Sequence, residues 1–161
     1  MEQVVRQRVQ LGAKEIVSTL RKISERSGPV EERVKEARET PHTYRLSVLC
    51  FDPDLNVLNA VAKNHRTSAK ALNTVAFALV YDKKMKDNMQ LAVDTAYTIM
   101  EHPHADQKTF NTLSNFKHRG IGRALLRRIY DVEAREKLIR ELDLHESFHI
   151  RTDSSEVMAS A

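Results

Sequence analysis

Cysteine is almost missing from this chain: Cys50 is the single one in 161 residues. No disulfide can form within one chain, and the composition fits a reducing compartment. Cys50 lies in the apolar run Leu46–Phe51, where a buried, inert thiol is expected. Tryptophan is absent, and glycine and proline number four each. So few turn residues exclude a many-stranded sandwich or barrel, which needs a turn every ~8–12 residues. No stretch nears the ~18 consecutive apolar residues of a membrane-spanning helix. The first residues, Met-Glu-Gln-Val-Val-Arg, lack the apolar block of a secretion signal. The expectation is a cytoplasmic or nuclear protein that is not secreted and does not meet a membrane. Nucleophile motifs, a P-loop and a dinucleotide fingerprint are also missing. No catalytic residue and no cofactor is assigned.

What remains is a globular composition, 41% hydrophobic and 30% charged. The length suits one domain, placed at residues 1–150, and residues 151–161 form a small polar tail expected to fray. Net charge is +4 and the isoelectric point about 9.3, a mild lean toward anionic partners.

Apolar spacings of three and four predict helices nearly throughout. Val5, Val9, Ala13, Ile16, Leu20 and Ile23 mark a long helix over residues 2–27, ended by Gly28-Pro29. A charged helix over Val30–Glu39 stops before Pro41. Tyr44–Phe51 alternates like a strand but also suits a buried helix; helix is preferred because a lone strand has no partner. Asp52 is placed as a cap with Pro53 at the first helical position. Leu55, Leu58, Val61 and Ala62 follow on that helix. Thr67 or Ser68 caps the next, whose face Ala71, Leu72, Val75, Ala76, Leu79 and Val80 makes it the expected central core helix. Asp87 or Asn88 caps a helix carrying Met89, Val93, Ala96, Ile99 and Met100, and Asp106 caps a short one carrying Phe110, Leu113 and Phe116. A last long helix is expected from Gly122 to about His145. The sum is an all-α domain of six to eight helices with long N- and C-terminal ones.

Charge is segregated along this chain. Arg6–Arg26 holds six basic residues and two acids, Lys63–Lys86 holds six and one, and Lys117–Arg128 holds five and none. If these segments converge, they make a groove for a phosphate backbone. The residues assigned to it are Arg21, Lys22, Arg66, Lys70, Lys83, Lys84, Lys86, Lys117, Arg119, Arg123, Arg127 and Arg128. Guanidinium groups suit phosphate because they meet two oxygens at once. Few aromatics are available for stacking; Tyr81, Phe116 and Tyr130 lie nearest the basic residues. Binding would be mostly electrostatic and weakly sequence-specific.

Gly120 and Gly122 stand between a basic cluster and an apolar helix pattern. Lys117-His118-Arg119-Gly120-Ile121-Gly122, then Arg123-Ala124-Leu125-Leu126, resembles the acyl-CoA-binding signature of the GNAT superfamily of N-acetyltransferases. That signature is (Gln/Arg)-x-x-Gly-x-(Gly/Ala) followed by an amphipathic helix. The resemblance implies loop amides holding a cofactor pyrophosphate, and a mixed sheet with a strand before the motif. Lys117 departs from the first position, and Asp106–Phe116 reads as helix. The segment is also similar to a helix-hairpin-helix element, with Phe110–Phe116 and Gly122–Tyr130 as its helices and a DNA phosphate as ligand. The plainer expectation is a helix–helix turn, in which Gly120 ends one helix and Leu125, Leu126 and Ile129 pack inward.

Seven histidines include His102 with His104 and His145 with His149, but neither pair has a supporting metal pattern, and no metal is assigned. The seam Val9, Ala13, Ile16, Leu20 and Ile23 is expected to pack in the monomer core, with a homo-oligomer through this helix as the second reading. Together these point to a non-enzymatic accessory or assembly protein, of viral or ribonucleoprotein type, that binds RNA or DNA, RNA for preference. A helical protein-interaction scaffold that oligomerises or meets acidic partners is the alternative, and an acetyl-CoA-dependent N-acetyltransferase the third reading.

Overall fold

Short polar side chains set where most helices begin, by accepting the first orphaned amides. Ser68 accepts from the Ala71 amide at 3.3 Å, Asn88 from Leu91 at 3.1 Å and Asp106 from Thr109 at 2.9 Å. These are the caps expected from sequence. The computed structural model describes the backbone of residues 2–143 and the side chains of residues 12–143. The polar tail 151–161 lies outside the described residues.

The helices are α1 (Glu2–Glu25), α2 (Val30–Glu39), α3 (Thr43–Leu49), α4 (Leu55–Lys63), α5 (Ala69–Tyr81), α6 (Met89–Glu101), α7 (Gln107–Leu113) and α8 (Arg119–Leu125), with a 3-10 turn at Lys83–Lys86. Residues 132–143 are also helical and form α9. The fold is all-α, with no strand among the described residues. Tyr44–Phe51 thus begins as helix, in α3.

All six predicted core positions of α5 are buried. The more enclosed helix is α4, in which every residue from Val57 to Ala62 is buried. It lies between α2 and α6. Its one buried polar residue, Asn59, donates to the Thr95 hydroxyl of α6 at 2.8 Å, so no unpaired amide is trapped there.

Asp52 does not cap α4; Asp54 does, accepting from the Asn56 amide at 2.8 Å. The Asp52 carboxylate is committed elsewhere. It receives Arg33 Nε at 2.9 Å and Nη2 at 3.2 Å, the Asp54 amide at 2.9 Å, and the Ser24 hydroxyl. Arg33 also donates to the Gly28 carbonyl at 2.7 Å. This buried cluster ties α1, α2 and the α3–α4 loop together. Gly28 closes the α1–α2 turn with φ of 125°, a conformation that disfavours any side chain.

The Gly120–Gly122 segment is helix, not turn. Residues 114–118 make the turn, and His118 caps α8 through its ring, accepting from the Ile121 amide at 3.4 Å. Gly122 is buried because α9 crosses it closely: a Cβ there would stand 3.1 Å from Leu142 Cδ2 and 3.4 Å from Leu138 Cδ1. The long C-terminal helix expected from Gly122 is broken after Leu125. Gln107 of α7 causes the break: its amide donates to the Arg128 carbonyl at 2.7 Å and accepts from the Tyr130 amide at 3.0 Å. Asp131 then caps α9, accepting from Ala134 at 2.7 Å. Leu125 and Ile129 are buried and Leu126 half-buried, as expected.

On α1, Ala13, Ile16 and Ile23 are exposed, the two isoleucines by 62% and 42%, and Leu20 is half-buried. The expected packing of this seam in the monomer core is not met at those three exposed positions; the side chain of Val9 lies outside the described residues. α1 rests on α3 through its C-terminal half, where Ser24 is buried. No described helix is long and apolar enough to cross a membrane.

Candidate nucleic-acid interface

The sequence Asp82-Lys83-Lys84-Met85-Lys86 folds into a cationic corner. Asp82 accepts from the Lys84 amide at 3.1 Å and starts the 3-10 turn. Met85 is buried and pins the turn to the core. Lys83, Lys84 and Lys86 are thereby left exposed, with no ion-pair partner among the described residues. Arg21 of α1 reaches this corner and pairs with Asp82 at 2.9 Å. Lys22, exposed, follows it on α1.

Between α1, the α3–α4 loop and α5 lies a groove of about 650 Å³. Val17, Phe51, Phe77, Ala78 and Tyr81 give it apolar walls; Arg21, Lys83 and Lys84 stand at its rim, and the buried Cys50 and Asp52 form its floor. Burial pushes the Cys50 thiol up to about 12, against a hydrogen bond with Thr74 and the charge of Lys70. A thiol so raised stays protonated and unreactive near neutrality. Phe77 and Tyr81 are 57% and 56% exposed, with ring centroids 4.4 Å apart and planes inclined by 42°.

The predicted basic residues therefore separate. Arg21, Lys83 and Lys84 meet at the groove; Lys22 and Lys86 are exposed but are not among its lining residues. Lys70, one turn before Thr74 on α5, is close enough for its charge to act on Cys50 but does not line the groove, while Arg66 is exposed in the loop before α5. Lys117, Arg119, Arg123 and Arg127 are exposed on or beside α8, which packs on α6 and α7 and contributes nothing to the groove lining. Arg128 is half-buried, and its guanidinium donates to the Met100 carbonyl, capping the end of α6.

Of the aromatics expected to stack, Tyr81 and Tyr130 are exposed, but Phe116 is buried in the core and cannot. Sequence reading missed Phe77. The available signal was its place four residues before Tyr81, off the predicted core face.

His102 and His104 serve the fold. His102 Nε2 lies 3.0 Å from the Asn64 carbonyl, and its Nδ1 accepts the His104 amide at 3.1 Å. His104 Nδ1 lies 2.9 Å from the Thr67 carbonyl. No group of side chains suited to a metal occurs among the described residues; His145 and His149 lie outside them. The loop amides and mixed sheet implied by the acetyltransferase resemblance are not found: Gly122 N–H bonds within α8 to the His118 carbonyl at 2.9 Å. The helix-hairpin-helix likeness fails for the same reason, since its glycines are inside a helix. In comparisons with protein families, curated proteins and solved structures, nothing matches this chain.

Proposed function

We propose that this protein binds nucleic acid through the phosphate backbone, with weak sequence selectivity, as a non-enzymatic accessory or assembly protein. The observation that supports this most is the corner where Arg21, Lys83 and Lys84 gather from two distant stretches of chain. Lys83 and Lys84, with the neighbouring exposed Lys86, have no carboxylate partner among the described residues, so their charge is open to an outside anion. Flexible lysines at such an edge meet phosphates as point charges and release counterions on binding. Lys117 and Arg127, exposed beside α8, extend the reading to a second face. RNA is preferred over DNA.

A salt titration by filter binding tests this. Three to five phosphate contacts predict that log K falls against log salt with a slope of about −2 to −4. Changing Lys83, Lys84 and Lys86 together to Glu should abolish most binding at moderate salt and leave the thermal midpoint unchanged. Absence of binding to RNA and DNA at low salt overturns the proposal.

A second reading is favoured by α1. Ile16 and Ile23 lie seven residues apart on one side of a long helix and remain exposed. Such a stripe suits pairing with the same helix of another copy.

A further inference from the structure

Apolar surface is placed on α5 where the core does not need it. Phe77 and Tyr81 stand between two depressions and line both. On one side is the groove of about 650 Å³ with its cationic rim. On the other is a shallower hollow of about 430 Å³ formed with Lys108, Asn111, Thr112 and Asn115 of the α7 region. The ring pair is thus a ridge with cations on both flanks, Lys83 and Lys84 on one and the exposed Lys108 on the other. Two buried side-chain polar atoms among the described residues lack hydrogen-bond partners, Arg21 Nε and Asn111 Oδ1. Their residues line opposite flanks of this ridge.

Resting on the nucleic-acid reading above, we infer that unpaired bases stack on the Phe77–Tyr81 ridge, so that the ligand is a single strand. A duplex hides its base faces and presents only phosphates to a convex aromatic ridge. An unpaired strand offers a π-face and a phosphate at each nucleotide, which is what exposed rings bordered by cations accept. Lys83, Lys84 and Lys108 can meet the flanking phosphates.

The test uses the full chain, a 12-nucleotide unstructured RNA and the duplex of the same sequence, at one salt concentration. The single strand is expected to bind at least tenfold more tightly. The double variant Phe77→Leu, Tyr81→Leu keeps apolar volume and removes ring faces. It should weaken the single strand by about 5–150-fold for each base that stacks, and leave the duplex within twofold. Lys83→Ala with Lys84→Ala should weaken both ligands together. Ultraviolet crosslinking of the unaltered protein should place adducts on Phe77 or Tyr81. Equal affinity for the two ligands, or a single-strand affinity untouched by the leucine variant with crosslinks elsewhere, overturns the ridge and leaves the electrostatic reading standing; the groove is then free for another occupant, such as an amphipathic helix. No binding of either ligand at low salt overturns both.

Discussion

Single residues in this protein carry consequences out of proportion to their visibility. Asp52 receives four hydrogen bonds, and its partner Arg33 is almost as buried. Asp52→Ala leaves a guanidinium without its anion in the interior, which should cost about 3–5 kcal/mol in a urea titration. That is a large share of the roughly 5–15 kcal/mol a domain of this kind possesses. His102 gives a pH dependence. Burial lowers its pKa from the ordinary 6.5, and the charges of His104 and His65 push the same way. The unfolded chain then takes up the proton more readily than the folded one. Stability should be full above the ordinary value and decline as pH falls below it. Glu36 adds a second decline at lower pH: its hydrogen bond from Arg45 holds the carboxyl below the ordinary 4.5. A urea midpoint that falls between pH 7 and pH 5, and falls less in His102→Gln, is the expected result. A midpoint rising toward acid would contradict it.

At the scale of elements, helix packing rather than phosphate chemistry explains Gly122. A leucine there must displace Leu142 and Leu138 of α9, so Gly122→Leu should cost ~1–3 kcal/mol by overpacking. Gly122→Ala should be nearly neutral, since its gain in helix propensity of up to ~1 kcal/mol offsets mild crowding. Differential scanning calorimetry separates the two. Helices were legible because their signals are local: periodic apolar residues and caps such as Ser68, Asn88 and Asp106 act within one turn. The misreadings share a cause in tertiary partners. Asp52 looks like a cap until Arg33, 19 residues away, claims it. The final helix looks continuous until Gln107 clasps the chain at residues 128–130.

For the whole molecule, the basic segments were visible but their convergence was not. Arg21 and Asp82 are 61 residues apart and meet only through the docking of α1. The same helix supplies the remaining prediction. If α1 pairs between copies, sedimentation should show the mass rising above 18.5 kDa with concentration. Ile16→Lys with Ile23→Lys should hold it at the monomer value. An unaltered chain that stays monomeric at all concentrations removes this reading.

The Arg21–Asp82 pair has one more consequence. One wall of the groove belongs to α1 and the opposite wall to α5, so the groove exists only while α1 is docked. Whatever fills it must favour the docked state by mass action. Occupancy would therefore be felt at the α1–α2 hinge, some distance from the ligand, as slower cleavage by a protease near Gly28.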